Sequence, residues 1–584
     1  MLLWCLDAVF LILVTISLGV LVQNMLERLF HARIQSDLPG TFLAGLILST
    51  IYFNILSFWL PVNYLSLIPL ALISLLVFRV NKEKYRQISL SIKAHLSTIR
   101  QPSNWLFGGG LLIMLFCFCV VPCINTDSKG YHYQSILWYE KFKVIPGLAN
   151  VHGRYAFNPA AFIIQSAYSF TGLTGQAIYP LNGVLIGLFL FWILIRMLRH
   201  KNSLAGLVWF LLLTILCRPL LSFISSPSSD PLVLICLFYA LIRLFEALLR
   251  REITLSAILL PSLILLFAPI AKLSAIPLLL VLLYFFFLLP ATEKKIPLLL
   301  KMVPVALLLY LPWLGRNIIL SGYLVYPIPD LDFFHPDWKV PRDVLMVDYF
   351  LIHYWPKGVD FSRTLDYAHL PSPSFREWFL PWLVYSFKGR QTVHIIILLL
   401  AIFSPVSWAV LYFRKIRPGA PLFVFLLILY GTIWIWLNSS PDFRFGIVPI
   451  SLSFIFPLLL LTLHKGENRR RMRWNPLPTL FIALTIFFLY RAYNEPSNYP
   501  FKWRDCWLFP LKDPQYRSQN NKADFPYVTL NSGTKLYLSD ATHHCLNADL
   551  PCMSWKYGEI EMRGPGLENG FRNIKDDIRG IFPF

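Results

Sequence analysis

The 584-residue chain carries 52 lysines and arginines against 31 aspartates and glutamates, a formal net charge of +21. Yet only 14% of its residues are charged, 56% are hydrophobic, and the mean hydropathy is +0.58. Those figures exclude an ordinary water-soluble domain and define an integral membrane protein. Nucleic-acid binding is excluded too, because the positive charges are scattered over short loops between apolar runs.

A bilayer span needs ~20 predominantly apolar residues, and about fourteen segments qualify, at 2–23, 41–60, 64–80, 105–123, 177–197, 204–221, 231–248, 254–270, 274–290, 297–313, 392–412, 420–438, 446–463 and 476–492. The first is expected to be retained: Asp7 and no Lys or Arg precedes its apolar core, and no small-residue cleavage site follows before Glu27, Arg28 and Arg33. The expected architecture is a mainly α, polytopic transmembrane helical bundle of about 14 spans with outer-face loops and a small soluble C-terminal domain.

Orientation follows from Lys and Arg on the loops. One set holds Arg28 and Arg33, then NKEKYRQ with Lys93 and Arg100, then RMLRHK, RRE, EKK, FRKIR and KGENRRRMR. The alternate short loops, 61–63, 222–230 and 439–445, hold little beyond Arg444. The basic set is therefore expected in the cytoplasm, and three large polar segments (125–176, 314–391 and 493–584) outside, with both termini outside for an even span count. This divides the chain into N-terminal spans with a basic loop (1–104), a membrane core (105–492) and an outer-face C-terminal domain (493–584).

The first outer segment opens with NTDSKGYHYQSILWYEKFKVIPGLANVHGRYAFNP, residues 125–159, a polar stretch wedged between long apolar runs. Loops this long are usually functional or disordered, and its apolar residues at helical spacing argue against disorder. Asp127 falls just beyond the fourth span. There it can accept a proton from an incoming hydroxyl, and partial burial would raise its pKa and make it a better base. Alternatively Thr126, Asp127 or Ser128 only caps a helix starting near Lys129, on which Asp127, Tyr131 and Gln134 would share a face.

His132 and Tyr133 follow in the same segment, then His152, Arg154 and Asn158 in VHGRYAFNP. A histidine can orient a substrate or simply be hydrogen-bonded; an arginine can grip phosphate with two parallel hydrogen bonds or be an ordinary interface residue. SSPSSDP holds Asp230, which binds substrate, or its small hydroxyls and Asp-Pro only cap the helix beginning at Pro231. Lys272 interrupts an apolar hairpin, so it is functional or snorkels to the interface. Arg316 and Asn317 mark an outer span end, and Asp442 with Arg444 lie between two late spans, as a local pair or facing an anion.

Cys5, Cys117, Cys119, Cys217 and Cys236 lie in apolar spans and Cys123 at a span end, where Cys is a small hydrophobe. Cys506, Cys545 and Cys552 lie in the tail. Cys545 and Cys552 in HHCLNADLPC form the candidate disulfide; a metal site with His543 and His544 is the rival, though the spacing fits no standard zinc pattern.

Many spans with an Asp opening the first large outer loop resemble the GT-C class of membrane glycosyltransferases. DSKGYHYQSILWYEKFKVIPGLANVHGRYAFNP, SSPSSDP, KLSAIP, PWLGRNIILSGYLVYP with DWKVP, SPDFRFG, and LPC followed by MRGP resemble a group of largely uncharacterised bacterial envelope membrane proteins, from about residue 105 to the end. The GT-C resemblance implies a polyprenyl-phosphate-linked sugar donor, a glycan, lipid or protein acceptor, and action at the periplasmic face of the bacterial inner membrane. It implies Asp127 as catalytic base, and usually inversion at the sugar carbon. Arg154, Lys272, Arg316 and Arg444 would balance the charge developing on the phosphate. No cofactor is indicated, and a divalent metal is unsupported because Ser128, not a second acid, follows Asp127. A transporter or flippase of envelope lipids or saccharides, a surface-polysaccharide polymerase or ligase, and a non-catalytic assembly protein are the alternatives.

Overall fold

The computed structural model describes residues 1–97, 102–120, 123, 125–200, 203–358, 373–388, 392–416, 419–464, 482, 508, 526–539, 545, 548–553 and 559–574. In chain order its helices are α1 (Leu2–Phe30), α2 (Leu38–Leu56), α3 (Leu67–Val80), α4 (Lys82–Ser97), α5 (Pro102–Val120), α6 (Tyr133–Lys141), α7 (Ala160–Tyr168) and α8 (Thr171–Thr174). There follow α9 (Leu181–Arg199), α10 (Leu204–Leu221), α11 (Asp230–Arg250), α12 (Leu255–Ala271), α13 (Leu280–Leu288) and α14 (Lys295–Ser321). Last come α15 (Arg342–His353), α16 (Phe375–Lys388), α17 (Thr392–Phe413), α18 (Ala420–Ser439) and α19 (Phe443–His464).

The expectation of about fourteen spans is corrected. Among the described residues eight helices are long and apolar enough to cross a membrane (α1, α2, α9, α10, α11, α14, α18 and α19), or nine if one bent pair counts as a span. That pair is Tyr64–Val80 with Lys82–Ala94, which meet at 87°. The expected spans at 254–270 and 274–290 fold as shorter apolar helices, Leu255–Ala271 and Leu273–Leu288, while 392–412 folds as α17 but is not among the eight. At 17 residues α12 reaches only about 25 Å, short of the ~30 Å hydrocarbon core. Segment 105–123 folds as α5 but is not among the eight, and 476–492 lies outside the described residues apart from Ile482. With the count changed, its parity no longer places the termini.

A chain in hydrocarbon must satisfy its backbone internally, so the apolar runs become helices. Their packing separates a centre from a rim: the apolar window of α11 is 83% buried and that of α14 only 17%. At the α1–α2 contact a Cβ on Gly19 would come 1.9 Å from the Thr41 carbonyl oxygen, and one on Gly45 1.8 Å from that of Thr15. Hydrogen at both positions lets the two backbones touch, the usual device of membrane helix pairs.

The three large polar segments share one hydrophobic cluster. Trp138, Leu148 and Tyr155 of the first segment pack with Tyr323, Val344 and Val347 of the second. Leu536, Met553 and Phe571 of the tail complete it. The tail strands are short: β1 (Tyr527–Thr529) pairs antiparallel with β2 (Lys535–Leu538), which pairs parallel with β3 (Cys552–Met553). β4 (Ile560–Met562) and β5 (Phe571–Asn573) form a second antiparallel ladder. This layer fixes the loop that carries Asp127.

Candidate functional site

The segment after Asn125 is helical from Thr126 but leaves the regular α-helix within a turn. Ser128–His132 winds as a π-helical turn, closed by Tyr133 N–H donating to the Ser128 carbonyl, and α6 begins only afterwards. Such turns are rare and frequent at functional sites. Asn125, not Asp127, supplies the cap, its Oδ1 accepting from Ser128 N–H at 3.1 Å. The Asp127 carboxylate makes no capping bond and turns toward arginines. Gln134 reaches the tail, donating to the Ala548 carbonyl at 2.9 Å.

Asp127 lies between two guanidinium groups. Arg154 Nη1 is 3.2 Å from Oδ1 and Arg444 Nη1 is 3.2 Å from Oδ2. Arg444 also grips Asp442, Nη2 to Oδ2 at 2.8 Å with Nε donating to both carboxylate oxygens, and lies 3.6 Å from Asp230 Oδ2. Lys272 completes the chain by an ion pair with Asp230. Six residues predicted from sequence, Asp127, Arg154, Asp230, Lys272, Asp442 and Arg444, thus form one cluster in which carboxylates and cations are equal in number.

The elements explain the convergence. Asp230 opens α11, and Asp442 and Arg444 straddle the start of α19. Lys272 stands in extended conformation where α12 stops and a 3-10 segment, Leu273–Leu279, begins. All are helix ends at one side of the bundle, where a charge need not cross hydrocarbon.

Electrostatics reverse one expectation. Burial disfavours the charged form of Asp127, but the guanidiniums of Arg154 and Arg444 outweigh it and hold the carboxyl well below the usual carboxylate range. Asp127 is therefore a weaker base than its burial implies while both arginines hold it. Asp442 is lowered in the same way: burial opposes ionisation and Arg444 prevails.

His132 is buried beside the cluster. Its Nδ1 lies 2.8 Å from Ser128 Oγ, which is 2.6 Å from Ser226 Oγ. Burial pushes its pKa down to about 4, against the pull of Asp127 and Asp230, so the ring is neutral at pH 7. His152 Nδ1 accepts from Arg154 N–H at 3.2 Å, orienting the arginine's backbone.

Other predicted residues lie elsewhere. Asn158 and Arg316 form a separate buried knot: Arg316 Nε donates to Asn158 Oδ1 at 3.0 Å, and Nη1 donates to Ser57 Oγ. Its guanidinium also lies 4.6 Å from the centre of the Tyr139 ring. Arg316 is fully buried and ties α14 to segment 125–176, and it does not join the cations around Asp127. Tyr133 stacks on Tyr179 with ring centres 5.5 Å apart. Cys545 and Cys552 are joined by a disulfide, while Cys506, His543 and His544 lie outside the described residues. Among the described residues no group of three or more His, Cys, Asp or Glu side chains could hold a metal ion.

Sequence inspection missed three supporting residues. Asn182 donates to the carbonyls of Ser226 and Ser228 at 2.6 and 2.8 Å, and Gln165 to that of Pro227 at 2.8 Å, fixing the SSPSSDP turn. Both are amides inside apolar helices, a signal that was available. Asp348 of α15 is buried and accepts from the Tyr326 hydroxyl at 2.8 Å. A Cβ on Gly153 would fall 1.8 Å from Asp348 Oδ2. Burial raises Asp348 to about 6, although Arg154 and Tyr326 oppose it.

Bundle and cluster together define a polytopic membrane protein with a charge-balanced site at one end of its helices. A family profile described as Domain of unknown function (DUF8201) matches residues 1–451, and the chain belongs to that family. No curated protein and no solved structure matches it.

Proposed function

We propose that this protein is a membrane glycosyltransferase that moves a sugar from a polyprenyl-phosphate carrier to an envelope glycan, lipid or protein acceptor at the periplasmic face of the bacterial inner membrane. The observation that carries this reading is the single cluster of Asp127, Arg154, Arg444, Asp230 and Lys272 at the helix ends opposite the basic loops. By the excess of Lys and Arg on those loops, the cluster faces outward.

Asp127 takes the proton of the acceptor hydroxyl as that oxygen bonds to the anomeric carbon. The bond from that carbon to the phosphate oxygen breaks, and lipid phosphate leaves with the electron pair. Arg154 and Arg444 balance the charge on the departing phosphate. The same two groups suppress the basicity of Asp127 in the unliganded site. A phosphate that draws them away would raise its basicity only when donor is bound, which limits idle hydrolysis.

A transporter or flippase of lipid-linked saccharides is the second reading, favoured by the helix break at Lys272. Against it, Lys272 pairs with a residue at a helix end, whereas transporter sites lie near the bilayer midplane. The test uses protein in lipid nanodiscs with a synthetic polyprenyl-phosphate sugar and cell-envelope acceptor. Release of free lipid phosphate by wild type and its loss in Asp127→Asn support transfer. Movement of intact donor across liposomes, with no cleavage, would replace the glycosyltransferase by the transporter.

A further inference from the structure

A second polar region lies at the opposite end of the bundle, away from Asp127. The turn between α1 and α2 and the helix α4 enclose a cavity of about 1050 Å³, with α9 as its back wall. The size is at the upper end of small-molecule pockets. Helix α4 turns sharply from the direction of α3 and carries Lys82, Lys84, Arg86 and Lys93. A basic amphipathic helix bent away from a span is suited to the membrane–water interface.

The cavity has two chemical ends. At its apolar end Leu188, Phe191 and Ile195 of α9 face Ile88 and Ile92 of α4. At its polar end the carboxylates are already engaged. Asp37 accepts from Gly40 N–H, the Trp192 indole and the Tyr239 hydroxyl at 3.1, 2.8 and 2.8 Å. Glu27 holds Lys84 at 2.7 Å and accepts from Ile34 N–H. Glu83 faces Arg86 at 3.7 Å, and Arg243 is matched by Glu246 at 3.0 Å. Arg33 lines the same end and, among the described residues, forms no ion pair. Asp37 and Glu246 together offset Arg196 and Arg243, so Arg33 is left as the lining cation without a carboxylate, and it stands beside a slot for hydrocarbon.

We infer that this cavity binds a phospholipid of the leaflet on the basic side. Its phosphate meets Arg33, with Lys84 adjacent, and the upper part of an acyl chain lies along α9 and α4. A free phosphate has no use for the apolar wall, and an uncharged lipid leaves Arg33 without a partner. The site is separate from the Asp127 cluster and does not depend on the function proposed for it.

Native mass spectrometry of the full-length, delipidated protein tests this with phosphatidylglycerol, diacylglycerol and glycerol 3-phosphate as probes. Wild type should retain phosphatidylglycerol and neither of the others. Arg33→Gln, a change at an exposed side chain, should retain about five- to tenfold less, as expected for loss of one cation near a lipid phosphate. Ile88→Trp, which keeps the charges and fills the hydrocarbon slot, should lose a similar amount. Unchanged retention in Arg33→Gln overturns the inference even if Ile88→Trp fails to fold. Equal retention of diacylglycerol or glycerol 3-phosphate by wild type overturns it as well.

Discussion

Arg444 and Asp127 meet across 317 residues of sequence, Nη1 to Oδ2 at 3.2 Å. The same guanidinium also reaches Asp442 and Asp230. Arginine can do this because its planar fork presents several donors, whereas lysine is a single point charge. Arg444→Lys is therefore expected to lower transfer from a lipid-phosphate donor by ~100-fold, the usual cost of losing a transition-state charge contact. Asp127→Asn should cost at least as much. The double variant should be little worse than the worse single one, because coupled groups are not additive. Initial rates in nanodiscs check this; fully additive losses would mean that the two side chains do not act together.

Asp230 and Lys272 make a different prediction. The Asp230 side chain is 5% exposed and that of Lys272 24%, so neither is well solvated when its partner is lost. Asp230→Asn should destabilise the protein by about 3–5 kcal/mol, the cost of leaving a buried charge alone. Lys272→Met in the same chain should restore much of that stability while activity stays low. Thermal unfolding in detergent distinguishes the two effects. A double variant no more stable than Asp230→Asn would show that Lys272 finds enough solvation without its partner.

Much of this site was legible because charge at the mouth of an apolar run is costly and conspicuous. Asp127, Asp230, Lys272 and Arg444 all stood out on that ground. Which charges pair was not legible, since it depends on tertiary approach: Arg316 resembled a phosphate ligand in sequence, yet Ser57, Asn158 and Tyr139 enclose it. The effect of burial on Asp127 was weighed, but the net effect on its proton depends on two arginines brought from remote segments. The π-helical turn at Ser128–His132 leaves no periodic trace in five residues. The span count was too high because hydropathy cannot tell a crossing helix from a short one inside the bundle. The runs on either side of Lys272 read as two spans and fold as two short helices with an extended residue between them.

The tail makes a third prediction. The Cys545–Cys552 disulfide closes a loop with a sequence separation of 7. The Tyr155 hydroxyl donates to the Cys552 carbonyl at 2.7 Å, and Gln134 donates to that of Ala548. For so short a loop, reduction should cost the tail ~2–3 kcal/mol. Hydrogen exchange should then quicken in the tail strands β1 to β5 and in the contacting stretch around Tyr155, while α11 is unchanged. Exchange confined to the tail would show that the disulfide does not support segment 125–176.

Glu140 gives the clearest pH dependence. It sits on α6, buried, with Oε1 accepting from the Thr171 hydroxyl at 3.2 Å. Burial raises its pKa to about 7, against weaker opposing hydrogen bonds and Lys141. The folded protein therefore keeps a proton that the unfolded chain releases near pH 4.5. The contribution to stability is full below that value and is lost as pH rises toward 7, by ~3 kcal/mol in all. Glu140→Gln keeps an oxygen for Thr171 and carries no titrating proton. It should match wild type near pH 4.5 and exceed it in melting temperature at pH 8. Parallel melting curves for the two proteins from pH 4.5 to 8 would show that Glu140 ionises in the folded state without penalty.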